Sequence, residues 1–277
     1  DVQSALYVYD GECLDGDDDP DTDNGDIDDG CAHTGIFSDG TSKGYIDDLS
    51  KTPSNSVPIL AFWKLTPLPD TLSSECTSDD GSVPKLICSS GKTPTLIIYF
   101  LSNNDSDTWD GAARIVRYEL KRYNSDGDSV KGYVNPLGDT SYRRWPEDDS
   151  DNSLIDTSSG KSPNSVILTD FVDDRKLSEI EGVVGGANCS TDQITPSQAT
   201  LQHYGYGTDN EKTDDDVRSF YACVSSGTVG ESSTQKRVTL FLRGNSYGKE
   251  GVEDKDDGSL PALSTEVLSR GVTNKIP

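Results

Sequence analysis

Six apolar segments constrain this chain more than any other feature of its 277 residues. VPILAFWK (57–64) and TLIIYFL (95–101) are continuous apolar runs bounded by Pro, Ser and Asn, the pattern of strands buried on both faces. ARIVRYELKRY (113–123) alternates: Val116, Tyr118 and Leu120 share one face, Arg117, Glu119 and Lys121 the other. SVILTDFV (165–172), VRSFYACVS (217–225) and KRVTLFLRG (236–243) complete the set. No stretch of ten or more residues between them carries a convincing helical period. Strands without intervening helices predict an antiparallel sheet rather than βαβ units. No internal repeat or linker divides the chain.

The first nine residues read differently. In DVQSALYVY, Val2, Ala5, Leu6 and Tyr9 fall at i, i+3, i+4 and i+7, one face of an amphipathic helix. No cap precedes it, so it reads as the end of a longer helix that gives way near Tyr7. There is no methionine, so Asp1 reads as a processed or cut start. No 18-residue apolar stretch is present to span a membrane.

Between the strands lie long connections rich in Gly, Ser, Asp and Asn. With 49 acids against 24 Lys and Arg, the formal charge is −25. Phosphate recognition needs clustered cations, so this composition excludes nucleic acid and anionic lipid as partners. The same field attracts cations, and acids concentrate in Asp10–Asp29, Glu147–Asp156, Asp209–Asp216 and Glu250–Asp257.

A structural calcium ion is the expected cofactor. Calcium takes six to eight oxygens, supplied by closely spaced Asp and Asn with Gly at the turn. Asp19, Asp21 and Asp23 alternate, and Asp26 and Asp28 follow Gly25. Asn124, Asp126 and Asp128 form a second cluster around Gly127. Neither matches a full EF-hand loop. The competing reading of both is solvated acidic loop.

Six cysteines fall into three sequence-local pairs, Cys13 with Cys31, Cys76 with Cys88, and Cys189 with Cys223. Six allow 15 connectivities, and the local one is the expectation. None forms CxxC, and His33 and His203 are the only histidines, which leaves little for a zinc site. Three disulfides imply an oxidising compartment, secreted, periplasmic or cell-surface.

No catalytic residue is nominated. GTSKG (40–44) matches G-x-S-x-G but lacks the strand before and helix after that a nucleophile elbow needs. SSGKT (89–93) and SSGKS (158–162) lack the first glycine of a P-loop and read as turns. Asn104-Asp105-Ser106 and Asn188-Cys189-Ser190 match the glycosylation sequon. Among the acids near tryptophan, Asp110 beside Trp109 comes nearest to a sugar-cleft carboxylate.

In order along the chain, DVQSALYVYDGECL, NSVPILAFWK, TLIIYFLSNND with TWDGAARIVRYEL, SVILTDFVDD, FYACV and VTLFLRGN resemble the globular part of cyanobacterial minor pilins. The likeness is nearest to the hormogonium polysaccharide secretion pseudopilins. It covers about residues 1–245. It implies an α+β, pilin-like fold: a short N-terminal helix remnant packed on a strand-rich antiparallel sheet with long disulfide-stapled loops. The corresponding single domain comprises the helix end (1–9), an acidic helix-to-sheet connection (10–56), the sheet (57–243) and a C-terminal tail (244–277). The resemblance also implies a non-enzymatic subunit of an extracellular, type IV pilus-like filament, whose precursor is anchored in the inner membrane. Its partners would be other pilin subunits, with polysaccharide or a cell surface as further contacts and the membrane engaged only through the missing helix. The leader and apolar half-helix that define pilins lie outside this sequence. Two rival readings are a calcium-dependent adhesin and, less favoured, a secreted glycoside hydrolase.

Overall fold

The computed structural model describes residues 2–8, 56–68, 70, 91–102, 111–121, 164–180, 189–190, 192–196, 217–225, 236–246 and 259–268. They form nine strands: β1 (Ala5–Val8), β2 (Ser56–Pro67), β3 (Lys92–Ser102), β4 (Ala113–Lys121), β5 (Asn164–Val172), β6 (Gln193–Thr195), β7 (Phe220–Val224), β8 (Arg237–Asn245) and β9 (Ser259–Leu268). All pairings are antiparallel.

β1 to β5 form a meander in chain order, and β8, β7 and β6 continue the sheet. The join is narrow, because β5 pairs with β8 only at Val172–Gly244. Asp173 N donates to Arg243 O, and Arg243 N donates to Ser219 O. The end of β5 and the start of β7 therefore share one edge of β8, and β9 takes the other.

The sheet curls into a half-barrel, which brings β7 over β2. Val57, Ile59, Leu101 and Ile115 from the meander pack with Val217, Phe220 and Tyr221 in one buried cluster. Val2, Ala5, Val8, Leu60, Phe62 and Ile97 pack with Ala222, Val224 and Val238 in another. Interior positions on β2 change from odd to even between Ile59 and Leu60. A bulge there, between Pro58 and Leu60 of the β2–β3 ladder, causes the change, because one extra residue reverses the alternation. Trp63 and Phe100 are also buried, as the continuous apolar runs of β2 and β3 predict.

After β5 the chain turns along β7. Asp173 is fully buried, and its carboxylate accepts hydrogen bonds from Arg175 N, Nε and Nη2 at 3.0–3.1 Å. A 3-10 turn at Leu177–Glu179 follows. Leu177 N donates to Val217 O, which buries Leu177 and Ile180 beside β7.

The expected helix on the sheet is corrected. Among the described residues no α-helix packs on the sheet, so the α+β, pilin-like fold does not hold. Val2–Ser4 is a 3-10 turn and Ala5–Val8 is a strand against β2. The physical reason is a coincidence of periods. A 3-10 turn repeats every three residues, which puts Val2 and Ala5 on one side. The β1–β2 register then slips between Ala5 and Tyr7, so that Ala5 and Val8 both face the core. The turn accounts for the Val2–Ala5 part of the expected helix face, and the bulge brings Val8, which was not on that face, to the core.

Candidate functional site

The calcium candidates Asp19, Asp21, Asp23, Asp26, Asp28, Asn124, Asp126 and Asp128 lie outside the described residues, as do Cys13, Cys31, Cys76 and Cys88. Cys189 and Cys223 are joined by a disulfide with Cα atoms 5.3 Å apart. It fastens residue 189 to β7 beside β6, where Ile194 pairs with Cys223. Of the turn candidates, Gly91 has a φ of +61°, a left-handed conformation that suits glycine at the entry to β3. Among the described residues no group of three or more His, Cys, Asp or Glu gathers as a metal site. No helix among them is long and apolar enough to cross a membrane.

Two features are shaped for contact. The first is the polar end of the concave face. Lys64 on β2 pairs with Thr95, and Thr66 Oγ1 lies 2.6 Å from Thr95 Oγ1. Tyr99 pairs with Arg117, and Ile97 with Glu119. Arg117 Nη1 donates to Glu119 Oε2 at 2.9 Å, both side chains largely buried. Burial raises the Tyr99 hydroxyl pKa, against the pull of the hydrogen-bonded Arg117 guanidinium. Burial and the nearby Arg117 charge lower Lys64, and Glu119 partly offsets them. The group is mutually satisfied. It closes the apolar trough with fixed polar groups and leaves Val166 and Leu168 of β5 about half exposed beside it.

The second feature is β9, which sequence reasoning assigned to a tail. β9 pairs with β8 along one edge, and every residue from Leu260 to Glu266 is exposed. Leu263 is 70% exposed, Leu268 55% and Leu260 45%. Backbone groups of a strand alternate between its edges. Arg237 and Arg243 of β8 bond toward β7, so Val238, Leu240 and Leu242 bond toward β9. Their partners there are Val267, Thr265 and Leu263. Ala262, Ser264 and Glu266 therefore point N–H and C=O away from the sheet. Pro261, the residue that usually blunts an edge, precedes them, where the β8–β9 register slips once between Arg243 and Asn245. Arg243 Nη1 reaches across to the Leu260 carbonyl at 3.0 Å, so its guanidinium lies over β9. Its Nε is buried without a hydrogen-bond partner.

β5 also has an open edge, but a broken one. The β4–β5 register slips on both sides of Ile115, and Phe171 has a φ of 60°. Bulges and left-handed residues twist an edge away from strand addition.

No family model matches the chain. No curated protein and no solved structure matches it either.

Proposed function

We propose that this chain is a non-enzymatic structural subunit of an assembly outside the cytosol, joined to its neighbours by strand addition at β9. One observation carries the reading: a ten-residue edge strand, Ser259–Leu268, has no strand on its outer edge among the described residues and exposes three leucines. Edges of this kind are templates for another strand, and main-chain hydrogen bonds supply the affinity. The Cys189–Cys223 disulfide supports an oxidising compartment. The acid-rich composition supports solubility at an exposed surface. Pilin-type helix packing has no part in this reading.

The test uses the chain in its native cells, tagged and extracted from the surface under non-denaturing conditions. The expected result is a protease-accessible chain migrating well above the mass of its denatured monomer. Ser264→Pro, which removes the central outward N–H, should release it as monomer. A protease-protected chain, or a wild-type monomer in the surface extract, overturns the proposal.

A further inference from the structure

We infer that the strand added to β9 is β9 of a second copy of this chain, antiparallel, with a two-fold axis at Ser264. The inference rests on the edge-addition reading above and names its partner. It follows from the symmetry of the strand. In an antiparallel pair an outward-bonding residue must face another outward-bonding residue. Centring the axis on Ser264 meets that condition at Ala262, Ser264 and Glu266, which would exchange about six backbone hydrogen bonds. The β8–β9 register slips between Arg243 and Asn245, so the regular part of the edge is Ala262–Leu268 and this pairing is centred within it. Moving the axis to Glu266 would oppose two carboxylates.

Charge complementarity selects the same register. On β8, Arg243 pairs with Ala262, so their side chains share one face. Glu266 of the second copy falls opposite Ala262, two strand spacings or about 10 Å from Arg243. Ala262 is small, and the Arg243 guanidinium already leans over β9 toward the Leu260 carbonyl. An extended Arg and Glu bridge that distance over an alanine. Within one chain they cannot meet, because Glu266 pairs with Thr239, four residues or about 13 Å along the strand from Arg243. Two-fold symmetry makes the Arg243–Glu266 contact twice.

The partner can be tested on the purified chain by sedimentation velocity between about 1 and 100 μM at 0.15 M salt, where the long-range repulsion of two copies is screened. A monomer–dimer equilibrium is expected. Arg243→Glu or Glu266→Arg alone should weaken it about tenfold or more, and the double reversal should restore it to within about threefold. Ser264→Cys is exposed, so it tests the axis even if a charge variant misfolds. Mild oxidation should link it to its own copy, because directly paired residues lie about 5.5 Å apart. Leu268→Cys, about 26 Å from its own counterpart in this register, should not link. A wild-type monomer at the highest concentration, an unlinked Ser264→Cys, or a double reversal that stays weak overturns the two-fold pairing. A monomeric purified chain alongside a large native complex would leave strand addition standing with a different partner. A native monomer would remove strand addition itself.

Discussion

Thr195 donates its hydroxyl hydrogen to the carbonyl of Ile59 over 2.6 Å, across 136 positions of sequence. Thr195 is fully buried, and Ile59 sits at the β2 bulge, where a ladder carbonyl has lost its usual partner. The bond links β6 to β2 across the half-barrel. Thr195→Val keeps the shape and orphans the carbonyl, so unfolding free energy should fall by about 1–3 kcal/mol. Urea denaturation measures it; Thr195→Ser, which keeps the hydroxyl donor, should avoid most of the loss.

The Cys189–Cys223 bridge spans 34 positions. Chain-entropy arguments give about 3–4 kcal/mol for a loop of that length. Replacing both cysteines by Ala should lower stability by an amount of that order in guanidinium titrations. Far-ultraviolet circular dichroism should still report the native sheet.

A buried ion pair tests the corner after β5. Asp173 has no exposed side-chain surface, and Arg175 covers it. Arg175→Ala leaves a buried carboxylate short of donors and should cost about 3–5 kcal/mol. Because an uncharged amide is easier to bury, adding Asp173→Asn should recover part of that. A double-mutant cycle reads the coupling.

Gly111 approaches β5 closely. A Cβ there would stand 2.3 Å from both Phe171 N and Asp170 Oδ1. Since Phe171 N is backbone, the clash cannot be relieved by a rotamer change alone. Gly111→Ala should destabilise by about 1–3 kcal/mol and show as an earlier thermal transition.

Burial pushes the Tyr118 hydroxyl up to about 12 from its ordinary 10. The folded pKa is raised, so the unfolded chain loses this proton first as pH rises. The stability held below pH 10 is then lost progressively toward pH 12. Tyr118→Phe keeps the edge-to-face contact with Phe100 and should flatten part of that alkaline decline. Ultraviolet-monitored denaturation at stepped pH measures the slope. Tyr99 and Tyr221, also raised chiefly by burial, account for part of the remainder.

How much of this was readable depended on burial. All six apolar segments became strands, because burial on one or both faces writes its period into the sequence. Tyr221 against Phe241, stacked at 4.5 Å, is one such reading made concrete. β9 was missed for the complementary reason. Exposed through most of its length, it shows no alternation, and Leu260, Leu263 and Val267 fall at helical spacing. β6 is three residues long, too short to carry a period. β1 was misread because the 3-10 turn at Val2–Ser4 puts Val2 and Ala5 on one side, the spacing that a helix face also shows. The polar cluster of Lys64, Tyr99, Arg117 and Glu119 was half legible: the alternation of β4 put Arg117 and Glu119 on one face. Their meeting with Tyr99 needed the β3–β4 register, which no local pattern encodes. The calcium candidates fall outside the described residues and keep the status of sequence expectations.

The narrow join at Val172–Gly244 has a mechanical consequence. On either side of it, long ladders hold strand to strand, and hydrogen bonds of that kind resist sliding because they are directional. Across it, the two leaves adhere chiefly through packed side chains such as Val57 and Ile59 against Val217 and Phe220. Apolar contact depends on area and not on register, so it yields gradually to shear. The two leaves are thus held by packing and by a few bonds, Thr195 to the Ile59 carbonyl, Asp173 N to the Arg243 carbonyl and Leu177 N to the Val217 carbonyl. Force that shears one leaf past the other meets those few bonds and the packed side chains before it meets a long ladder.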